Sequence, residues 1–193
     1  MQTLNKFVLD AIADLNEYKG RGYKWPAKID GSIGDVVYNG KVILKGNPDN
    51  YTYCCGITLQ TYLMAVNKAK IKIDADLWEI RKKWFIMNPK MPIDINGGAV
   101  DALQPLGLGV RVAIDMAEPG DFIQLWRKSG SGHSAIFIKA FTDNGIRGIK
   151  YWSTQAMTNG IGYRSEYFEG VKNPIAKVHI CRTLSLSESV ELQ

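Results

Sequence analysis

The order of helical and strand-like segments constrains the fold of this chain more than any other feature. Near the N-terminus, apolar residues recur at helical spacing, at Leu4, Phe7, Val8, Ala11, Ile12 and Leu15. The C-terminal half instead has short apolar runs set between the turn sequences of residues 118–121 and 143–145. Helices followed by consecutive strands predict an α+β domain with an antiparallel sheet.

Local signals place most of the individual elements. Asn39 and Gly40 separate two apolar runs and so predict a β-hairpin. Residues 55–68 favour a helix with two apolar faces, and Asp76 with Glu79 three positions later predicts the start of another helix. The expected strands of the C-terminal half cover residues 122–126, 133–138, 146–153 and 176–181.

Length and composition fit a globular domain. The chain has 193 residues, of which 46% are hydrophobic and 22% are charged, which excludes disorder as its dominant state. A chain of this length buries roughly 70% of its unfolded surface as one domain. We expect a single domain over 1–193, with an N-terminal helix and hairpin over 1–45, the core over 46–184 and a tail over 185–193 that frays.

Charge and hydropathy narrow the classes of partner. The formal charge of +5 favours approach to an anionic polymer, but the basic residues are scattered and no nucleic-acid recognition motif accompanies them. We therefore expect no nucleic-acid partner. No apolar run approaches the roughly 20 residues that span a bilayer, so we expect no membrane partner either.

The N-terminal segment does not resemble a secretory signal. Asp10, Asp14 and Glu17 interrupt the apolar residues where a signal peptide has a continuous hydrophobic region. The expected location is therefore cytoplasmic, or outside the cell after release by a route other than the general secretory pathway.

Two adjacent cysteines at the start of a predicted helix suggest nucleophilic chemistry. Three cysteines cannot all pair, and Cys54 is poorly placed to bridge Cys55, so we expect free thiols. A helix N-terminus and a nearby imidazolium both stabilise a thiolate. His133, one of two histidines, opens a predicted strand. Cys54 as nucleophile and His133 as general base are the expected catalytic residues, with Cys55 as the alternative nucleophile.

These residues resemble the NlpC-type cell-wall peptidases of the papain-like superfamily. Cys54-Cys55-Gly56 stands against that family's Asp-Cys-Ser-Gly, and residues 132–137 stand against its His-Val-Gly-Ile-Tyr type of strand. Tyr53 replaces the family's aspartate. The resemblance implies a papain-like fold, in which a cysteine-headed helix packs on an antiparallel sheet, and a peptide of peptidoglycan as the substrate.

The family's third polar residue, which orients the histidine, has no clear match in this chain. Gln155 and Ser153 are the nearest candidates, and an ordinary structural glutamine is the alternative for Gln155. Tyr51, Tyr53 and Trp152 are candidates for the lining of the substrate cleft, although aromatic residues beside strands also serve as core.

No cofactor or metal is expected. His179 and Cys181 fall on one predicted strand, but two ligands without partners indicate core packing rather than a metal site. Asp121 follows Pro119 and Gly120 and is expected to be a turn residue rather than an acid catalyst.

The resulting hypothesis is a cysteine peptidase or amidase that works through an acyl-enzyme. Two alternatives remain at this stage. One is a non-catalytic wall-binding or phage structural module on the same fold, which the missing third residue and Tyr53 favour. The other is an amidase or acyltransferase that acts on a different amide, because the thiolate–imidazole chemistry is shared.

Overall fold

A computed structural model describes residues 3–25, 30–85 and 95–185. Its helices are α1 (Asn5–Leu15), α2 (Cys54–Lys68), α3 (Leu77–Trp84) and α4 (Ala99–Leu103). Its strands are β1 (Val36–Tyr38), β2 (Lys41–Leu44), β3 (Gly109–Val112), β4 (Phe122–Arg127), β5 (Gly132–Asp143), β6 (Ile146–Gln155), β7 (Gly160–Tyr167) and β8 (Ile175–Thr183). The tail predicted to fray lies, from residue 186 onward, outside the described residues.

Six strands form one antiparallel sheet in the order β3–β8–β4–β5–β6–β7, and β1 pairs with β2 in a separate hairpin. The α+β class predicted from the sequence is confirmed at this level. Strands β4, β5, β6 and β8 occur where apolar runs predicted them. Within the described ranges, no helix has the length and hydropathy needed to cross a membrane.

Two strands were not predicted. The short strand β3 pairs with β8 and lies at the edge of the sheet formed by the described strands. Strand β7 has the sequence GIGYRSEY, which lacks an apolar run because two of its eight residues are glycine and two are charged. It pairs with β6 from Gly148 opposite Tyr167 to Gln155 opposite Gly160. Backbone pairing with a long neighbouring strand therefore defines β7, and the side-chain pattern does not.

Local chemistry explains the hairpin and the helix start that the sequence predicted. Asn39 and Gly40 have φ angles of 49° and 74°, so both adopt the left-handed conformation that a two-residue hairpin turn requires. The carboxylate of Asp76 accepts a 2.8 Å hydrogen bond from the backbone N–H of Trp78 and caps α3.

Helix α2 occupies the centre of the molecule. Twelve of its fifteen residues are buried, because α1 packs against it on one side and β5 and β6 pack on the other. Trp84 of α3 adds a third contact, since its indole N–H donates to the hydroxyl of Thr58 at 3.0 Å. Burial on several sides accounts for the two apolar faces of this helix.

The sheet is covered on both faces. One face joins the main core with α1, α2, α3 and α4, through Phe122, Ile136 and Trp152. The opposite face carries a second apolar cluster made of Ile123, Leu125, Ala135, Phe137, Ile149, Tyr151, Ile175 and Ile180. His133 and Tyr151 belong to this second face by strand alternation.

Asp121 anchors α1 to the sheet. Gly120 has a φ of 97°, and the N–H of Asp121 donates to the carbonyl of Glu118 at 3.0 Å, as the turn prediction required. The Asp121 carboxylate is fully buried and accepts hydrogen bonds from Asn5 at 2.9 Å and from Arg182 at 2.9 and 3.0 Å. The residue therefore has a structural role.

Asp121→Ala is expected to lower the free energy of unfolding by about 3 kcal/mol or more, because it leaves the guanidinium of Arg182 without its buried carboxylate. Urea denaturation measures the change. The matched control is Asp115→Ala, which removes a carboxylate that is 79% exposed and pairs with Arg147. That control should change stability by less than about 1 kcal/mol, and equal losses in both variants would contradict the anchoring role.

Candidate active site

Cys54 is the first residue of α2. Tyr53 precedes the helix in extended conformation, with φ −142° and ψ 163°, and no side chain of the described residues caps the first backbone N–H groups. The partial positive charge of this helix end therefore faces the thiols of Cys54 and Cys55. Gly56 is required by packing, because a Cβ atom at that position would overlap the carbonyl oxygen of Asp30.

His133 is the second residue of β5 and lies opposite Leu125 of β4. The next residue, Ser134, makes a 2.8 Å hydrogen bond with Thr58, which is one helical turn after Cys54. This contact brings the start of β5 against the start of α2. Cys54 and His133, which the sequence predicted as partners, accordingly line the same cleft.

The two thiols differ in their electrostatic surroundings. A hydrogen bond with Cys55, followed by the charge and hydrogen bond of His133 and the backbone of Ser134, holds the pKa of Cys54 well below its ordinary value despite burial. The pKa of Cys55 is raised by its contact with Cys54 and by burial. The two sulfur atoms are 3.9 Å apart. The surroundings therefore favour ionisation of Cys54 over Cys55.

The cleft lies where β4 ends, β5 begins and β6 ends, and its volume is about 650 Å³. Besides the two thiols and His133, it is lined by aromatic side chains and by polar and charged side chains. The aromatic residues are Tyr23, Trp25, Phe85 and Trp126, and the others include Gln124, Arg127, Gln155, Arg164 and Asn173. A cleft of this size can hold part of a peptide.

Tyr23 is a cleft residue that the sequence did not reveal. Its chain segment forms a parallel bridge with Thr52, two residues before Cys54, which brings the phenol to the thiols. Burial and then the charges of Cys54 and Cys55 raise the pKa of Tyr23 to about 12. The phenol therefore keeps its proton and can donate a hydrogen bond near the sulfur atoms. Residues 20–26 carry only a helix-breaking signal in sequence.

Neither candidate for the third catalytic residue makes a hydrogen bond to His133 among the described residues. The Gln155 amide oxygen accepts from the Tyr151 hydroxyl at 3.1 Å and from Arg164 at 3.5 Å. The Ser153 hydroxyl donates to the backbone carbonyl of Ser134 at 2.7 Å. Within the described part of the chain, the buried Nε2 of His133 has no hydrogen-bond partner. The ring instead packs on Tyr151, with centroids 5.5 Å apart.

A buried ion-pair network lies beneath His133. Glu166 accepts two 2.7 Å hydrogen bonds from Arg127 and a short one from the Tyr151 hydroxyl. Burial alone would raise the pKa of Glu166, but these hydrogen bonds hold it below the ordinary value. Burial and the neighbouring Glu166 carboxylate raise the pKa of Tyr151. Sequence reasoning missed this network because Glu166 lies in the unpredicted strand β7.

The aromatic residues predicted to line the substrate cleft lie elsewhere. Trp152 is completely buried in the core, where its indole donates to Asn16 at 3.0 Å. Tyr53 is also buried and packs between Trp25 and Phe85. Tyr51 is exposed, but it is not among the described residues that line the cleft. Trp152 lies in the main core because side chains alternate along β6, so Trp152 and Tyr151 point to opposite faces of the sheet.

His179 and Cys181 are packed in β8. The Nδ1 atom of His179 is 2.9 Å from a guanidinium nitrogen of Arg111. Burial, with a smaller contribution from Asp121, raises the pKa of Cys181 to about 12. In the described ranges, no group of three or more His, Cys, Asp or Glu side chains is arranged to hold a metal ion.

Comparisons with protein-family models, with curated proteins and with solved structures give no match. The function of the chain is therefore inferred from the chemistry of Cys54, His133 and the cleft around them.

Cys54 is expected to react with iodoacetamide at a lower pH than an ordinary cysteine, because the thiolate is the reacting species and its pKa is lowered. His133→Ala removes part of that lowering and should move the alkylation profile to higher pH. Peptide mapping by mass spectrometry assigns the modified thiol. His179→Ala is the control and should leave the profile in place, whereas an unshifted profile in the His133 variant would contradict the pairing.

Glu166→Gln is expected to destabilise the protein by about 2 kcal/mol or more at pH 7, because Arg127 loses a buried ionic partner. A lowered folded-state pKa means that the carboxylate stabilises the protein above its unfolded pKa of about 4.3. That advantage is lost as the pH falls through the folded-state pKa. Urea denaturation across this range should show the two proteins converging at acidic pH, while the exposed-site control Glu169→Gln should match the wild type throughout.

Proposed function

We propose that this protein is a cysteine hydrolase that cleaves an amide bond through Cys54, His133 and an acyl-enzyme intermediate. The observation that carries the proposal is the Cys54 thiol at the start of α2, whose pKa is lowered by Cys55, His133 and the Ser134 backbone at the side of an open cleft. Depressed thiol pKa values and cleft positions characterise nucleophilic cysteines rather than core cysteines.

The chemistry follows from the groups at the helix start. Cys54 gives its proton to His133, and the thiolate attacks the carbonyl carbon of the substrate. The developing oxyanion is stabilised by backbone N–H groups at the start of α2, which no described side chain caps. His133 then protonates the leaving amine, and a water molecule activated by the same imidazole hydrolyses the thioester and frees Cys54.

The substrate class comes from the resemblance to NlpC-type peptidases. That resemblance implies a stem peptide or crosslink of peptidoglycan, and the packing of a cysteine-headed helix on an antiparallel sheet supports a papain-like fold. The net charge of +5 favours approach to an anionic wall polymer. An amidase or acyltransferase that acts on another amide would use the same thiolate and imidazole. Only the substrate that is cleaved distinguishes such an enzyme from a peptidoglycan peptidase.

A second candidate function is a binding module that retains the site without turnover. The observation in its favour is that Gln155 is held by Tyr151 and Arg164, with no hydrogen bond to His133 among the described residues. Without an orienting partner, the imidazole loses the tautomer control that catalytic triads depend on. Tyr53 at the position of the family's aspartate favours the same candidate.

Cys54→Ala is expected to abolish hydrolysis of purified peptidoglycan, and Cys54→Ser should lower it by at least about 10³-fold, since a hydroxyl is not ionised by an imidazole alone. Cys55→Ala should keep the nucleophile but move the activity profile to higher pH, because it removes the hydrogen bond that lowers the pKa of Cys54. Release of new amino groups measures cleavage, and circular dichroism verifies the fold of each variant.

The outcomes separate the candidates. Loss of activity in Cys55→Ala with an active Cys54→Ala would make Cys55 the nucleophile. Activity in both variants would exclude the mechanism. A wild-type protein that binds peptidoglycan without cleaving it or other peptide amides would support the binding module.

A further inference from the structure

The fixed charges around the cleft are unbalanced. Among the described residues that line it, Arg127 and Arg164 carry positive charge and none carries a carboxylate. Any excess of positive charge in this cleft must therefore come from the two arginines.

Arg127 is already neutralised. Its guanidinium donates two 2.7 Å hydrogen bonds to the carboxylate of Glu166, and both side chains are largely buried, with 14% and 8% exposed. This bidentate geometry is the strongest arrangement available to an arginine and a carboxylate. Arg127 and Glu166 together form a neutral structural unit.

Arg164 has no comparable partner among the contacts that the structure describes. Its Nε atom is 3.7 Å from Glu166, whose oxygens already accept from Arg127 and Tyr151. Its Nη1 atom reaches Gln155 at 3.5 Å, the long limit of a hydrogen bond. One carboxylate thus faces two guanidinium groups, which leaves one positive charge in excess. The side chain of Arg164 is 35% exposed, so its donors remain accessible from the cleft.

We propose that Arg164 makes this cleft selective for an amide substrate that carries a carboxylate close to the scissile bond. A free α-carboxylate or an acidic side chain next to the reacting amide supplies this group. A guanidinium binds a carboxylate through two parallel N–H donors, and partial burial strengthens the interaction relative to water. Arg164 contacts Gln155, so the carboxylate of the substrate binds on the Gln155 side of the cleft.

That the bound molecule is an amide substrate rests on the proposed function. The preference of the cleft for an anion can be measured without cleavage of any substrate. It is tested with two small alkylating reagents, anionic iodoacetate and neutral iodoacetamide. In both reactions the Cys54 thiolate displaces iodide, forming a carbon–sulfur bond and releasing one iodide ion. The ratio of the two second-order rate constants at Cys54 therefore reports local charge, while differences in thiolate reactivity cancel.

Arg164→Gln is expected to lower the iodoacetate-to-iodoacetamide ratio at Cys54 about three- to tenfold, because the excess charge attracts the anionic reagent. Arg164→Lys keeps the charge and should retain most of the ratio. Arg147→Gln is the matched control, since it removes one positive charge from an exposed residue paired with Asp115. An unchanged ratio in Arg164→Gln, or an equal fall in Arg147→Gln, would overturn the proposal.

A pair of peptides separates this proposal from the proposed function. The peptides differ only in a carboxylate or a carboxamide beside the scissile bond, and kcat/KM is compared in wild type and Arg164→Gln. A preference of about tenfold for the acid, lost in the variant, supports both proposals. Absence of Cys54-dependent cleavage with a lowered alkylation ratio would reject the hydrolase and retain the anion site. Cys54-dependent cleavage with an unchanged alkylation ratio would retain the hydrolase and reject the anion site.

Discussion

The hydroxyl of Thr58 joins the two elements on which the candidate site depends. It donates to the carbonyl of Cys54 at 2.9 Å and accepts from the indole of Trp84 at 3.0 Å. It is also 2.8 Å from the hydroxyl of Ser134, the residue after His133. These contacts are buried, so each lost hydrogen bond would leave an unsatisfied polar group. The start of α2 and the start of β5 are therefore held in one arrangement, and the thiol meets the imidazole because of it.

Opposing electrostatic effects decide the chemistry of the cleft. Burial by itself would keep both thiols protonated, whereas the hydrogen bond with Cys55, the charge and hydrogen bond of His133 and the Ser134 amide lower the pKa of Cys54. In the same part of the molecule, hydrogen bonds from Arg127 and Tyr151 hold the pKa of Glu166 below its ordinary value against the effect of burial. Glu166 accepts hydrogen bonds from both neighbours, so its charge is compensated beneath His133. The described lining of the cleft thus includes the Cys54 thiol, whose pKa is lowered, and the guanidinium of Arg164, whose distance of 3.7 Å to Glu166 is longer than that of Arg127.

Much of the architecture could be predicted from local patterns. Helical spacing indicated α1 and α2, Asp76 indicated the start of α3, and Asn39 with Gly40 indicated the hairpin. Strand β7 was missed because its residues carry no apolar run and pairing with β6 defines it. In the site, Cys54 and His133 could be proposed from a helix start and a strand start. Tyr23, Glu166 and Arg164 had no local signal, because their roles depend on contacts with residues far away in the chain.

The sequence by itself determined most of the elements and the placement of two adjacent cysteines at a helix start. Periodicity, caps and turn residues act over a few positions, so they can be read without the fold. Only the tertiary structure decided which thiol faces the imidazole, that Gln155 contacts Tyr151 and Arg164, and that Trp152 belongs to the core. These outcomes depend on packing between residues as far apart as Thr58 and Ser134, which no local pattern encodes.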